Sequence, residues 1–80
     1  MALEDKQVTR MVEREISRRQ VDAALLSIRV SNGICYVRGV LRHQRAHPEV
    51  DLDQEILTIQ KILRNRDGLR AVVWEAETKH

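Results

Sequence analysis

The sequence of 80 residues predicts an α+β fold, in which two helices pack on one face of a three-stranded sheet in the order helix, strand, strand, helix, strand. Three observations predict it. Apolar residues recur at helical spacing in two segments. Strand-like segments flank an Asn-Gly pair, which is the strongest short-range signal of a β-hairpin. A third strand-like segment follows the second helix, and one face of the sheet would supply the apolar surface that both helices need.

Length and composition limit the number of domains, the type of core and the partners that charge alone could attract. A chain of 80 residues is one domain, taken as 1–80, and it buries only about 60% of its unfolded surface. Phe is absent, and Tyr36 and Trp74 are the only aromatic residues, so the core must be aliphatic. The 14 basic and 12 acidic residues are well mixed, and the net charge of +2 gives no strong attraction to nucleic acid or anionic lipid.

The first helix is predicted over residues 3–20, with acidic residues near its start and arginines near its end, as the helix dipole favours. Its apolar stripe consists of Val8, Met11, Val12 and Ile16. Arg10, Arg14 and Arg18 step by four along one flank. Glutamates lie among them, and this mixture favours a solvated face over a basic binding edge.

The hairpin joins a strand at 25–30 to a strand that continues to Leu41. Asn32-Gly33 supplies the two positive φ angles of a type I′ turn, and a two-residue turn sets the register. The predicted opposite pairs are Ser31 with Ile34, Val30 with Cys35, Arg29 with Tyr36, Ile28 with Val37, and Leu26 with Gly39. The uncharged face is therefore the core face, and its side chains are Leu26, Ile28, Val30, Cys35, Val37 and Leu41. Gly39 is expected to let a helix lie close to Leu26.

Residues 42–50 form a predicted polar loop, and the second helix follows, from Asp51 or Leu52 to Arg66. Asp51 or Asp53 is expected to cap it. Its apolar stripe consists of Leu52, Ile56, Ile59 and Leu63, with Ile62 at the margin and Leu57 on the opposite side. Gly68 is expected to end this helix in the left-handed conformation. The third strand is predicted at 69–76, in one of two phases.

The other face of the sheet is the candidate binding surface. If no third layer covers it, an apolar patch edged by arginines stays exposed, and such patches mark contacts. Its candidate contact residues are Arg29, Ile34, Tyr36, Arg38 and Val40, next to Leu25. Contact with a protein partner or a second copy is favoured over an ordinary half-solvated sheet and over lipid contact.

Two segments carry a family resemblance. "IRVSNGICYVRGVL" and "EILTIQKILRNRDGLRAVVWEAE" resemble the hairpin and the helix–glycine–strand pattern of the BON domain, named for bacterial osmotic-shock and nodulation proteins. The resemblance covers about residues 5 to 77. It implies that Val72 and Ala76 point inward, that Val73 points outward, and that Trp74 lies partly inside.

The resemblance also implies a non-enzymatic module that binds phospholipid surfaces or attaches to other proteins, without a cofactor. The chain has no signal peptide or membrane span, so a cytoplasmic location is expected if it is complete. A periplasmic or envelope location is expected to remain open if it is a fragment.

Other chemistry is disfavoured. His43 and His47 are four residues apart, but a proline-containing loop lacking a metalloprotease glutamate predicts no metal site. Cys35 is expected to be a buried, inert thiol. Nucleic-acid binding through Arg38, Arg42 and Arg45 is the second hypothesis, although a G-x-x-G loop and stacking aromatics are missing. No general base has a partner at usable spacing, so no catalytic residue is assigned.

Overall fold

The computed structural model describes residues 4–79, and it confirms two helices on one face of a sheet. The elements are α1 (Asp5–Ser17), β1 (Val21–Ser31), β2 (Ile34–His43), α2 (Leu52–Arg64), β3 (Ala71–Trp74) and β4 (Glu77–Lys79). The strand order is β1-β2-β3, and β4 also pairs with β2. The predicted start of the first helix, at residue 3, lies outside the described residues.

The hairpin has the predicted register. All five predicted pairs are present, from Ser31 opposite Ile34 to Leu26 opposite Gly39. Asn32 has φ 53° and Gly33 has φ 78°, as a type I′ turn requires. Because side chains alternate along a strand, this register decides which residues between Leu25 and Val40 face the helices.

The first strand is longer than predicted: it starts at Val21, four residues before its expected start, and the helix ends three residues before its expected end. Helix α1 ends at Ser17, and Val21 already belongs to β1 with only 4% of its surface exposed. Residues 22–24 are Asp, Ala and Ala, which are uncommon in strands, so the sequence does not predict a strand there. An irregularity between Asp22 and Leu25 also places three steps of β1 against two of β2, which breaks the alternation.

Gly39 is required for a different reason from the predicted one. The atoms that an added Cβ would meet belong to the backbone of Leu25 and Leu26, and the Leu25 carbonyl oxygen would overlap it. No helix atom is among these neighbours. Gly39 also has φ 107°, which other residues rarely adopt. The close approach is therefore made by the neighbouring strand at its irregularity.

The third predicted strand forms two short segments. Both β3 and β4 run parallel to β2, with Cys35 opposite Val72 and Val40 opposite Glu77. Between them the N–H of Glu75 still donates to the carbonyl of Val37 at 2.8 Å. Trp74 lies opposite Val37 and packs against the core, so it occupies the inner phase together with Val72.

The bounds of α2 follow its capping residues. The Asp51 carboxylate accepts a hydrogen bond from the N–H of Gln54 at 3.2 Å, which confirms the predicted cap. The helix ends at Arg64 with Asn65 as its C-cap, two residues before the predicted end. Gly68, with φ 90°, belongs to the following turn and is not the helix cap. The turn places the buried Leu69 in the core before β3 begins.

The core joins both helices to the inner face of the hairpin. Its larger cluster contains Val8, Val12, Ile16, Val30, Cys35, Val37, Ile59, Leu63 and Leu69. A smaller cluster contains Val21, Leu41 and Leu52, and Trp74 packs against both clusters. Outside the core, Arg19 donates two hydrogen bonds of 2.9 Å to the Glu55 carboxylate and so ties the end of α1 to α2. No pattern in the sequence predicts this pair.

Replacing Gly39 with Ala should lower the free energy of unfolding by about 3 kcal/mol or more, because the methyl group overlaps backbone and the φ is strained. Gly33→Ala is the matched control. There the added Cβ meets its nearest neighbour at 3.4 Å, so we expect the smaller left-handed cost of about 1–2 kcal/mol. Urea unfolding measures both, and equal losses would contradict this account of Gly39.

Cys35 should resist alkylation while the chain is folded. The residue is fully buried, and burial raises the pKa of its thiol from 9.0 to about 11. Since the unfolded thiol ionises first, the free energy of unfolding should fall as the pH rises from 9 to 11, and Cys35→Ala should reduce that slope. Iodoacetamide labelling at pH 8, with and without urea, tests the burial. Equal rates in both conditions would show that the thiol is exposed.

Candidate binding face of the sheet

The sheet has one face without helices in the described part of the chain. We call it the open face, and its outward-pointing residues are Asp22, Leu25, Ser27, Arg29, Ser31, Ile34, Tyr36, Arg38, Val40, Arg42, Ala71, Val73, Glu77 and Lys79. The opposite face carries both helices. Val37 and Leu41 are fully buried under those helices. The hairpin register therefore orients the candidate contact residues away from the core.

The fold brings the five predicted residues onto this one face. Tyr36 lies at its centre, opposite Arg29 on β1 and Val73 on β3. Along β2, Ile34 is the next residue of this face toward the turn. Val40 lies four residues from Tyr36 in the other direction, opposite Leu25. Across the three strands, the ring of Tyr36 therefore lies between Arg29 and Val73.

Several apolar side chains of the open face are in contact with solvent. Leu25 is 52% exposed and Val73 is 37% exposed, while Ile34, Tyr36 and Val40 are half-buried. Leu25 and Val73 come from opposite strands of the sheet, so the apolar surface extends across it. Exposed apolar residues that lie together are typical of interaction sites.

A depression lies next to the aromatic ring. Its walls are Ser27, Arg29, Ser31, Tyr36 and Arg38, and its volume is about 430 Å³. Sequence reasoning missed the two serines, although they share the strand phase of Arg29 and could have been found from it. Their hydroxyl groups make this half of the face polar, whereas the half near Leu25 and Val40 is apolar.

The charges on the open face are partly neutralised within the molecule. Arg38 lies 3.5 Å from a Glu75 oxygen, and Arg42 donates to Asp22 at 2.9 Å. The Ala24 N–H and Arg42 together lower the pKa of the Asp22 carboxyl. Arg29 has no carboxylate within salt-bridge distance among residues 4–79. Lys79, which lies opposite Arg42 on the same face, has none in that range either. Arg29 and Lys79 are thus the cations of this face that are available to acidic groups of a partner.

The arginine-rich segment after the hairpin differs from the prediction. Arg42 and His43 belong to β2, so the loop begins at Gln44. Two of the three arginines considered for phosphate contact, Arg38 and Arg42, already face carboxylates. Arg45 is exposed. The segment therefore offers less free positive charge than the sequence suggested.

The two histidines make separate contacts. His43 Nε2 lies 2.6 Å from the Val50 carbonyl oxygen, and His47 Nδ1 lies 3.3 Å from a Glu49 oxygen. Within residues 4–79, no group of three or more metal-ligating side chains is close enough to hold an ion. In the same range, no helix is both long and apolar enough to cross a membrane.

Comparison with known proteins gives one informative likeness. No protein-family model and no curated protein matches the chain. A solved structure of CdsD, a structural protein of the type III secretion system of Chlamydia trachomatis, is similar to it with a TM-score of 0.71 and 14% identity. The match covers 96% of this chain and 32% of that one, so this chain spans about a third of its length. At this identity the likeness concerns the fold alone.

Proposed function

We propose that this chain is a non-enzymatic binding or assembly module, and that its open face contacts a protein. The observation that carries the proposal is the apolar surface around Tyr36, which remains uncovered by helices in a domain whose other sheet face carries both helices. Aromatic residues and arginines are enriched among the residues that dominate binding energies. Tyr36 and Arg29 provide both types in direct opposition.

The likeness to CdsD supports an assembly role. The matched structure belongs to a structural protein of a secretion system, and this chain corresponds to about a third of it. Membership of the BON family stays a prediction, and phospholipid contact remains an implication of that resemblance.

The charges favour an apolar protein contact over phosphate binding. A nucleic-acid surface needs several free cations, because neutralising phosphates supplies most of its affinity. Here Arg38 and Arg42 lie beside carboxylates, and within residues 4–79 only Arg29 and Lys79 on this face lack one. Association through the open face should therefore depend weakly on salt, whereas phosphate binding should weaken steeply.

The test introduces a single carboxylate in each of three variants, two on the open face and one on α2. Val40→Asp places a carboxylate in the apolar half of the open face, and Tyr36→Glu places one at its centre. Leu57→Asp is the matched control, because Leu57 is 62% exposed on the far side of α2. All three variants should keep the circular dichroism spectrum and melting temperature of a folded chain, since none of these side chains is fully buried.

Proteins of the source organism that bind the immobilised chain should be lost with Val40→Asp and Tyr36→Glu and retained with Leu57→Asp. We expect a loss of at least tenfold, because desolvating a carboxylate in an apolar contact is costly. Vesicles with and without anionic phospholipid form a separate arm. Equal binding by all variants, or binding only to vesicles, would contradict the proposed protein contact.

A further inference from the structure

The outer edge of the sheet has hydrogen-bonding groups that the fold leaves unused. β1 is the terminal strand, and β2 separates it from β3 and β4. With 11 residues it is the longest strand of the chain. An exposed edge of this length presents unpaired N–H and C=O groups, and these form a template for another strand.

The register identifies which groups point outward. In an antiparallel pair, residues alternate between those bonded to the neighbouring strand and those directed away from it. The carbonyl of Val37 accepts a hydrogen bond from the N–H of Glu75 on the β3 side. The backbone groups of Val37 therefore point away from β1, so Val37 and Ile28 are not hydrogen-bonded to each other. The N–H and C=O of Ile28 therefore point to the open edge, and those of Leu26 and Val30 follow by alternation.

The start of β1 is protected against strand addition, but its middle is not. The Ala24 N–H donates to Asp22, and the Val21 carbonyl accepts from Gln44. Charges and irregularities of this kind discourage edge pairing. No comparable bond within residues 4–79 covers the edge at Leu26 or Ile28. Both side chains are half-buried beside a groove whose other walls include Glu13, Asp22 and Arg45, so the apolar surface that a second strand would cover there is that of Leu26 and Ile28.

We propose that this edge pairs with β1 of a second copy of this chain, antiparallel and centred on Ile28. In this register Ile28 lies opposite Ile28 of the second copy, and Leu26 lies opposite its Val30, so outward-pointing groups meet in bonded pairs. On the open face, Arg29 lies opposite Ser27 of the second copy. A register centred on Arg29 would oppose two arginines, which is unfavourable. The Ile28 register also uses all three outward-pointing residues.

Pairing would join the two sheets and align their open faces into one continuous surface. The two copies are related by a twofold axis, as in most homodimers. Each module would then present a doubled contact face to a partner. This interface uses the strand edge, so it does not depend on the open-face contact proposed above.

Hydrogen exchange of individual amides is the direct test. As the concentration of the chain rises from micromolar to millimolar, exchange at Leu26 and Ile28 should slow by at least tenfold. The amides of Ser27 and Arg29 are bonded within the hairpin and should not change. Sedimentation should show a dimer over the same range. A monomer throughout, or a dimer without slower exchange at Leu26 and Ile28, would overturn the proposal.

A pair of substitutions isolates the backbone contribution. Ile28→Pro removes the outward N–H, and Ile28→Ala removes similar side-chain packing but keeps that donor. Ile28→Pro should be monomeric, while Ile28→Ala should still dimerise. If Ile28→Pro does not fold, the exchange measurement on the unmodified chain still decides. Val40→Asp should keep the edge dimer, so failure of the edge proposal and failure of the open-face proposal give different results.

Discussion

The two-residue turn at Asn32-Gly33 is the constraint on which the rest of this structure depends. Its positive φ angles close the hairpin without an extra residue, so the pairs from Ser31 opposite Ile34 to Leu25 opposite Val40 follow from it. A slip of one residue would turn Cys35 and Val37 to solvent and Tyr36 into the core. The turn therefore determines both where the helices pack and which side chains remain outside.

The two sides of the sheet have different physical characters because of this register. On the inner side, small and branched residues such as Val30, Cys35 and Val37 pack under both helices with almost no exposed surface. On the outer side, Tyr36 and Val73 lie beside charged residues and stay partly in water. The described residues form only two helices, and both pack on one face, so the other face stays without a helix.

Both proposals rest on surfaces that such a small domain leaves incomplete. One is an apolar face, which a partner would cover by side-chain packing. The other is a strand edge, which a second copy would complete by backbone hydrogen bonding. The open face lies across the sheet and the edge lies beside it, so one contact does not block the other. A module with two such surfaces is suited to joining subunits into a larger assembly.

The sequence by itself determined the helices, the hairpin register, the buried thiol and the face that carries Tyr36, because each depends on local periodicity or on one turn. It could not determine the N-terminal part of β1, since Asp22 becomes a strand residue only when Arg42 pairs with it from β2. The tertiary structure was also needed to explain why residue 39 is glycine and why the last strand is divided in two. It was needed as well to show the ion pair between Arg19 and Glu55. Each of these arises from contact between segments far apart in the chain, and local sequence patterns do not record such contacts.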